Sequence, residues 1–73
     1  MRGAGDRWLA GEPVEGVAFA LHDRVDLVGG ARDGDTGVVA LLMAIGADPL
    51  YLVRLRSGGG DVRVRQSALR HAE

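Results

Sequence analysis

Four arginines at alternate positions offer the clearest chemistry in this chain. They flank a glycine-rich link and are Arg54, Arg56, Arg63 and Arg65. If residues 57–60 form a four-residue loop, Arg54 faces Arg63 across a hairpin, with Arg65 further along the same face. Like charges directly opposite each other are destabilising, and a bound anion relieves the repulsion. The four arginines are therefore predicted to bind a phosphate backbone or an acidic protein; the alternative is a solvated face whose arginines pair with nearby carboxylates.

The groups that could serve in catalysis do not form a recognisable constellation. His22 would point to the opposite face of a strand from its neighbour Asp23, which prevents an oriented acid–base pair. His71 lies near a C-terminal end that we expect to fray. Both histidines are interpreted as surface residues, and the chain has no cysteine that could act as a nucleophile. We therefore expect a protein that is not an enzyme.

Two further motifs are incomplete. Asp33-Gly-Asp35 begins like a calcium loop, but the twelfth position is Ala44, where a bidentate glutamate is required. The run Gly58-Gly-Gly60 lacks the following lysine and hydroxyl residue of a phosphate-binding loop. Both motifs are interpreted as turns, and we expect neither a metal nor a cofactor.

The charge of the chain is unevenly distributed. All nine basic residues are arginine, and the formal net charge of the 73 residues is −1. Residues 1–50 hold four arginines and eight carboxylates, whereas residues 51–73 hold five arginines and two carboxylates. This asymmetry indicates a positively charged face built by the C-terminal third.

Residues 38–45 are apolar at every position and are predicted to form a strand with two faces to bury. A small barrel has one interior, so one face needs cover from outside. A partner surface could provide it, with Leu42 and Met43 at the interface. Equally, Trp8 and Leu9 of the N-terminal arm could fold over the strand or dock on a second copy. Both alternatives stay open.

The surrounding elements are predicted from periodicity and turn residues. Residues 1–15 are rich in glycine and are expected to form a flexible arm, and residues 16–73 the domain. Alternation predicts strands from Val17 to Leu27 and in both arms of the hairpin, with a single helical turn at residues 66–69 before a short last strand. The predicted core consists of Phe19, Leu21, Val25, Leu27, Val53, Leu55, Val62, Val64 and Leu69. The architecture is all-β, a small antiparallel barrel of about five strands.

Four segments together resemble the small bacterial SH3-like barrels of the KOW-like type. They are Asp23-Arg-Val-Asp-Leu-Val, Gly34-Asp-Thr-Gly37-Val-Val39, Tyr51-Leu-Val-Arg-Leu and Val62-Arg-Val-Arg-Gln-Ser-Ala-Leu69. The resemblance covers roughly residues 19–71 and implies an SH3-like barrel; KOW-like domains occur in ribosome-associated proteins and enzyme accessory subunits.

Two functions follow as expectations. The first is a non-catalytic SH3-like interaction or accessory module that forms a homo-oligomer or binds a protein partner. The second is a KOW-like nucleic-acid-binding module that uses the arginine-rich hairpin. No segment resembles a signal peptide or a membrane span, so we expect a cytoplasmic protein that does not enter a membrane.

Overall fold

One antiparallel sheet of five strands organises the chain. A computed structural model describes residues 3–72. In chain order the elements are α1 (Ala4–Leu9), β1 (Arg24–Leu27), a 3-10 turn (Gly30–Arg32), β2 (Thr36–Ala44), β3 (Leu50–Leu55), β4 (Asp61–Arg65), a second 3-10 turn (Gln66–Ala68) and β5 (Leu69–His71). The order across the sheet is β4-β3-β2-β1-β5. The predicted all-β architecture, with five strands and a helical turn before the last one, is confirmed.

The two ends of the sheet are β4 and β5. Among residues 3–72 no ladder joins these two strands, which are connected through the second 3-10 turn. Within the same residues, no helix has the length and apolarity that a membrane crossing requires.

The first strand is shorter than the sequence predicts. Alternation predicted a strand from Val17, but β1 begins at Arg24, because a turn at Leu21 and His22 interrupts the extended chain. His22 adopts a φ of 72°, and its N–H donates to the carbonyl of Val39 at 2.8 Å. The carboxylate of Asp23 accepts a hydrogen bond from Ala20 N at 2.8 Å and so stabilises this turn.

Two irregularities in β2 decide which of its apolar side chains are buried. The pairing with β3 shifts between Val39 and Leu41 and again between Leu42 and Ala44. An inserted residue reverses the in-and-out alternation of a strand. Val39 and Leu42 consequently both face the core, although they are three positions apart, and Leu41 is exposed.

The start of β2 requires a glycine. A Cβ at Gly37 would lie 2.6 Å from the carbonyl oxygen of Arg54 and 2.7 Å from Cγ1 of Val53, both on β3. Real Cβ atoms do not approach a backbone oxygen this closely. Gly37 therefore permits the close contact between β2 and the end of β3.

The core contains more of the N-terminal segment than expected. Trp8, in α1, is only 3% exposed, and its indole Nε1–H donates to the carbonyl of Phe19 at 2.7 Å. The sequence predicted a flexible arm over residues 1–15; in the part of it that the structure describes, residues 3–15, helix α1 docks Trp8 on the sheet. The buried apolar residues are Trp8, Phe19, Val25, Leu27, Val39, Leu42, Tyr51, Val53, Leu55 and Leu69. Of the predicted core residues, Leu21, Val62 and Val64 are partly buried around it.

The register of the β3–β4 hairpin also differs from the prediction. Arg54 lies opposite Asp61, and Arg63 lies opposite Leu52. The loop has five residues, 56–60, because Arg56 belongs to it rather than to the ladder. The predicted repulsion between Arg54 and Arg63 is therefore wrong: Arg54 Nε is 3.2 Å from a carboxylate oxygen of Asp61.

Candidate anion-binding site

A cleft of about 550 Å³ opens where three strands and the end of a fourth meet. Its walls are residues 24–26 of β1, 36–38 of β2, 54–56 at the end of β3, and 70–72 at the end of the chain. The β1–β5 ladder brings the last wall into place, with Arg70 opposite Asp26 and His71 opposite Val25. The volume lies in the range of pockets that hold small ligands or a short stretch of a polymer.

Four arginines from different parts of the chain line this cleft, which we call the arginine cleft: Arg24, Arg54, Arg56 and Arg70. Of residues 3–72, Asp26 is the single carboxylate-bearing residue in its lining. Between the arginines the lining includes the partly exposed side chains of Thr36, Val38 and Ala72. Four cations over a partly apolar surface in one concavity focus a positive potential on it.

Two of the four arginines are partly neutralised. Arg54 pairs with Asp61 as described above, and Arg70 Nε lies 3.6 Å from Oδ2 of Asp26. Both arginine side chains remain about 70% exposed (72% and 70%), so solvent screens both pairs. Arg24 and Arg56 form no ion pair with any carboxylate of residues 3–72. Among residues 3–72, the arginine cleft therefore keeps an excess of positive charge that no carboxylate balances.

His71 lies in the same cleft rather than on a frayed end. It pairs with Val25 in the β1–β5 ladder, and its ring packs against Phe19 with the centroids 4.6 Å apart. Its Nδ1 is 4.0 Å from Oδ2 of Asp23. The expectation of a frayed terminus at His71 is therefore wrong, because a strand and a ring contact hold this residue.

The structure divides the four predicted arginines between two places. Arg54 and Arg56 line the cleft, whereas Arg63 and Arg65 lie on β4, opposite Leu52 and Leu50. Arg65 donates from Nη1 to the carbonyl of Asp48 at 3.2 Å. Sequence reasoning missed Arg24 and Arg70, because pairing between strands that are distant in sequence brings them to the cleft. Arg24 lies opposite Val38 of β2, which in turn lies opposite Arg54, and Arg70 reaches the cleft through the β1–β5 ladder.

The four residues predicted for an interface also separate. Trp8 and Leu42 are buried within the chain, because the docking of α1 covers one and the irregular pairing of β2 turns the other inward. Leu9 and Met43 are exposed, at 52% and 41%. Leu41 and Ile45 are exposed as well, so the apolar surface consists of different neighbours from those expected.

Other polar side chains hold segments of the fold together. Ser67 donates from its hydroxyl to Oδ2 of Asp48 at 2.7 Å and from its backbone N–H to Oδ1 at 2.9 Å. Because these hydrogen bonds favour the charged carboxylate, they lower the pKa of Asp48, and nearby Arg65 adds a smaller effect in the same direction.

The side chain of Gln66, which we call the Gln66 clamp, joins segments that are distant in sequence. Its Oε1 accepts hydrogen bonds from the Tyr51 hydroxyl and from Ala18 N, and its Nε2 donates to the carbonyl of Gly16 at 3.0 Å. Burial raises the pKa of the Tyr51 hydroxyl, which stays a hydrogen-bond donor at neutral pH. Asp33 stabilises the loop between β1 and β2, because its Oδ1 accepts a hydrogen bond from Gly29 N at 2.7 Å. Within residues 3–72 no three histidine, aspartate or glutamate side chains are grouped to hold a metal ion.

Comparisons with protein-family models, with curated proteins and with solved structures find no significant match to this chain.

Proposed function

We propose that this protein is a non-catalytic, SH3-like module that binds the phosphate backbone of a nucleic acid in the arginine cleft. The observation that carries the proposal is the convergence of Arg24, Arg54, Arg56 and Arg70 on one concavity, to which the described part of the chain contributes a single carboxylate-bearing residue. Guanidinium groups match phosphate oxygens with paired, charge-assisted hydrogen bonds. The four arginines reach the cleft from β1, β3, the hairpin loop and β5, so rigid strands position most of them.

The cleft favours contacts to the backbone over contacts to bases. Its lining includes one aromatic ring, that of His71, whose ring also packs against Phe19, and no tyrosine, tryptophan or phenylalanine. Bases that stack on proteins without sequence preference use such rings. The binding that we propose is therefore dominated by phosphate charge and should depend steeply on salt.

A salt titration with matched variants tests this function. Fluorescence anisotropy with labelled single-stranded RNA and duplex DNA gives the affinity of the wild type, of Arg24→Gln/Arg56→Gln, and of Arg32→Gln as the control. Arg32 ends the first 3-10 turn, outside the cleft. We expect binding that weakens as salt rises, with the slope of log K against log salt falling by roughly one for each phosphate contact removed. Equal affinities for the cleft variant and the control, or no binding at low salt, would reject the proposal.

Self-association is a second candidate, favoured by the apolar side chains that the end of β2 leaves exposed. Leu41, Met43 and Ile45 are 39%, 41% and 56% exposed within five consecutive residues. A second copy could cover them. Sedimentation equilibrium of the wild type and of Met43→Ser/Ile45→Ser should then show a dimer only for the wild type, with little response to salt. A wild type that stays monomeric at high micromolar concentration would remove this candidate.

A further inference from the structure

We propose that the outer edge of β4 binds an extended peptide strand that carries carboxylates at alternating positions, opposite Arg63 and Arg65. This site is separate from the arginine cleft, whose lining includes neither arginine. It would make the protein a receptor for acidic β-strands, whatever binds in the cleft.

The backbone of β4 is open on its outer side. This strand is the last in the sheet order and pairs only with β3. Leu55 N donates to the carbonyl of Gly60 at 2.9 Å, and hydrogen-bonded positions alternate along an antiparallel ladder. Val62 and Val64 therefore bond to β3, whereas Arg63 directs both its N–H and its C=O away from the sheet. Arg65 offers only its N–H on that side, because it is the N-cap of the second 3-10 turn and its carbonyl accepts the first bond of that turn. No backbone group of residues 3–72 bonds to Arg63 on that side.

The side chains of β4 are arranged to suit an added strand. Val62 and Val64 pack against the core, while Asp61, Arg63 and Arg65 are exposed on the other face. Arg63, with both backbone groups directed outward, and Arg65, with its N–H directed outward, are thus also positions that present charge. An added antiparallel strand would place its own hydrogen-bonded residues directly beside Arg63 and Arg65, within reach of their guanidinium groups.

Charge complementarity identifies the occupant as an acidic peptide. Arg63 forms no ion pair with a carboxylate of residues 3–72, and the hydrogen bond of Arg65 goes to a carbonyl. A nucleic acid could meet the two charges but cannot supply alternating N–H and C=O groups to the strand edge. The residue opposite Asp61 should be basic or neutral. Because the added strand runs antiparallel, its order is acidic, any, acidic, any, basic.

The experiment uses the full chain and the peptide acetyl-Thr-Glu-Val-Glu-Val-Lys-amide, with calorimetry for affinity and amide exchange by NMR. We expect saturable binding, slower exchange of the Arg63 N–H on binding, and a loss of affinity of about ten-fold or more in Arg63→Ser/Arg65→Ser. The Arg24→Gln/Arg56→Gln variant should bind the peptide as the wild type does. Peptide binding can therefore fail without the nucleic-acid proposal failing, and the reverse also holds.

Two control peptides separate strand addition from simple charge attraction. One has the same residues in reverse order, and the other carries an N-methyl group on its second glutamate, which removes a backbone donor and keeps the charge. Both should bind at least about ten-fold more weakly. Equal binding of all three peptides would overturn the proposal. A failure of the first peptide to bind would also overturn it. If Arg63→Ser/Arg65→Ser then self-associates, the two arginines only protect the edge from other strands.

Discussion

Arg54 and Asp61 lie directly opposite each other across the β3–β4 hairpin, with Arg54 Nε 3.2 Å from Oδ1 of Asp61. Arg54 is also a wall of the arginine cleft, whereas Asp61 is outside its lining. The pair therefore withdraws part of the positive charge that the cleft could offer to an anion. It connects the geometry of the hairpin to the strength of binding.

Replacing this carboxylate should strengthen nucleic-acid binding. In Asp61→Ser, Arg54 loses its partner and becomes available to phosphate, so we expect the affinity for RNA at low salt to rise a few-fold. The pair is exposed, so the free energy of unfolding should change by less than about 1 kcal/mol. Anisotropy titrations and urea unfolding measure the two quantities. Glu15→Ser, which removes an exposed carboxylate far from the cleft in sequence, is the control for net charge. An equal gain in both variants would contradict a local effect.

Trp8 should be essential to stability although it lies in a glycine-rich segment. Truncating a buried aromatic residue costs about 3–5 kcal/mol, a large part of the stability of a small domain, so Trp8→Ala should unfold at much lower urea concentrations. Trp8→Phe keeps most of the apolar contact but leaves the Phe19 carbonyl without its indole donor, at a cost of about 1–3 kcal/mol.

The neighbouring Leu9→Ala is the control, because that side chain is 52% exposed. Its urea midpoint should stay close to that of the wild type. If Trp8→Ala and Trp8→Phe unfold at the same urea concentration as Leu9→Ala and the wild type, Trp8 does not contribute to the core.

Gly37→Ala should destabilise the sheet through a collision with the backbone. The added methyl group would lie 2.6 Å from the Arg54 carbonyl oxygen, which cannot move without disturbing the β2–β3 ladder. We expect a loss of about 1–3 kcal/mol in the free energy of unfolding. Gly5→Ala is the matched control, since a Cβ at this position in α1 meets nothing within 4 Å and alanine favours a helix. Destabilisation of equal size in both variants would contradict this account.

Asp48 should contribute stability that disappears in acid. Because the hydrogen bonds from Ser67 lower its pKa in the folded protein, the unfolded chain takes up the proton first as the pH falls. The contribution is therefore complete above the ordinary pKa of 3.8 and is lost as the pH falls through the lower, folded-state value.

Thermal unfolding of Asp48→Asn and the wild type tests this linkage. The variant should melt at a lower temperature near neutral pH, and the two curves should converge in strong acid. Glu15→Gln, at an exposed side chain, should follow the wild type throughout. A difference between Asp48→Asn and the wild type that stays constant over the whole pH range would exclude the charge of Asp48 as the cause.

Local patterns in the sequence predicted most strands, but not their register. Alternation of apolar and polar residues identified both arms of the β3–β4 hairpin, since each has one buried face. The run Ser57-Gly-Gly-Gly60 allows loops of four or five residues equally well, so the partner of Arg54 could not be derived. The uniformly apolar run in β2 likewise gives no sign of its irregular pairing, so the burial of Leu42 in the core could not be derived and an interface was predicted for it.

The arginine cleft could not be predicted from short stretches of sequence, because its walls come from segments that are far apart in the chain. Arg24 and Arg70 are far apart in sequence and become neighbours of one cavity only through the β1–β5 ladder. Neither the sequence around Arg24 nor that around Arg70 indicates that β1 and β5 pair. The docking of Trp8 was hidden in the same way, because glycines around it suggested a mobile segment while its partner, the carbonyl of Phe19, lies eleven residues away.

The Gln66 clamp implies an order of events when the chain folds. Its side chain bonds to Gly16 and Ala18, which precede it by 50 and 48 residues. Contacts at such separations carry a large entropy cost of loop closure, so we expect them to form late in folding. During synthesis, Gly16 and Ala18 emerge from the ribosome well before Gln66. Until Gln66 follows, the Gly16 carbonyl and the Ala18 N–H lack the hydrogen-bond partners that they have in the folded protein.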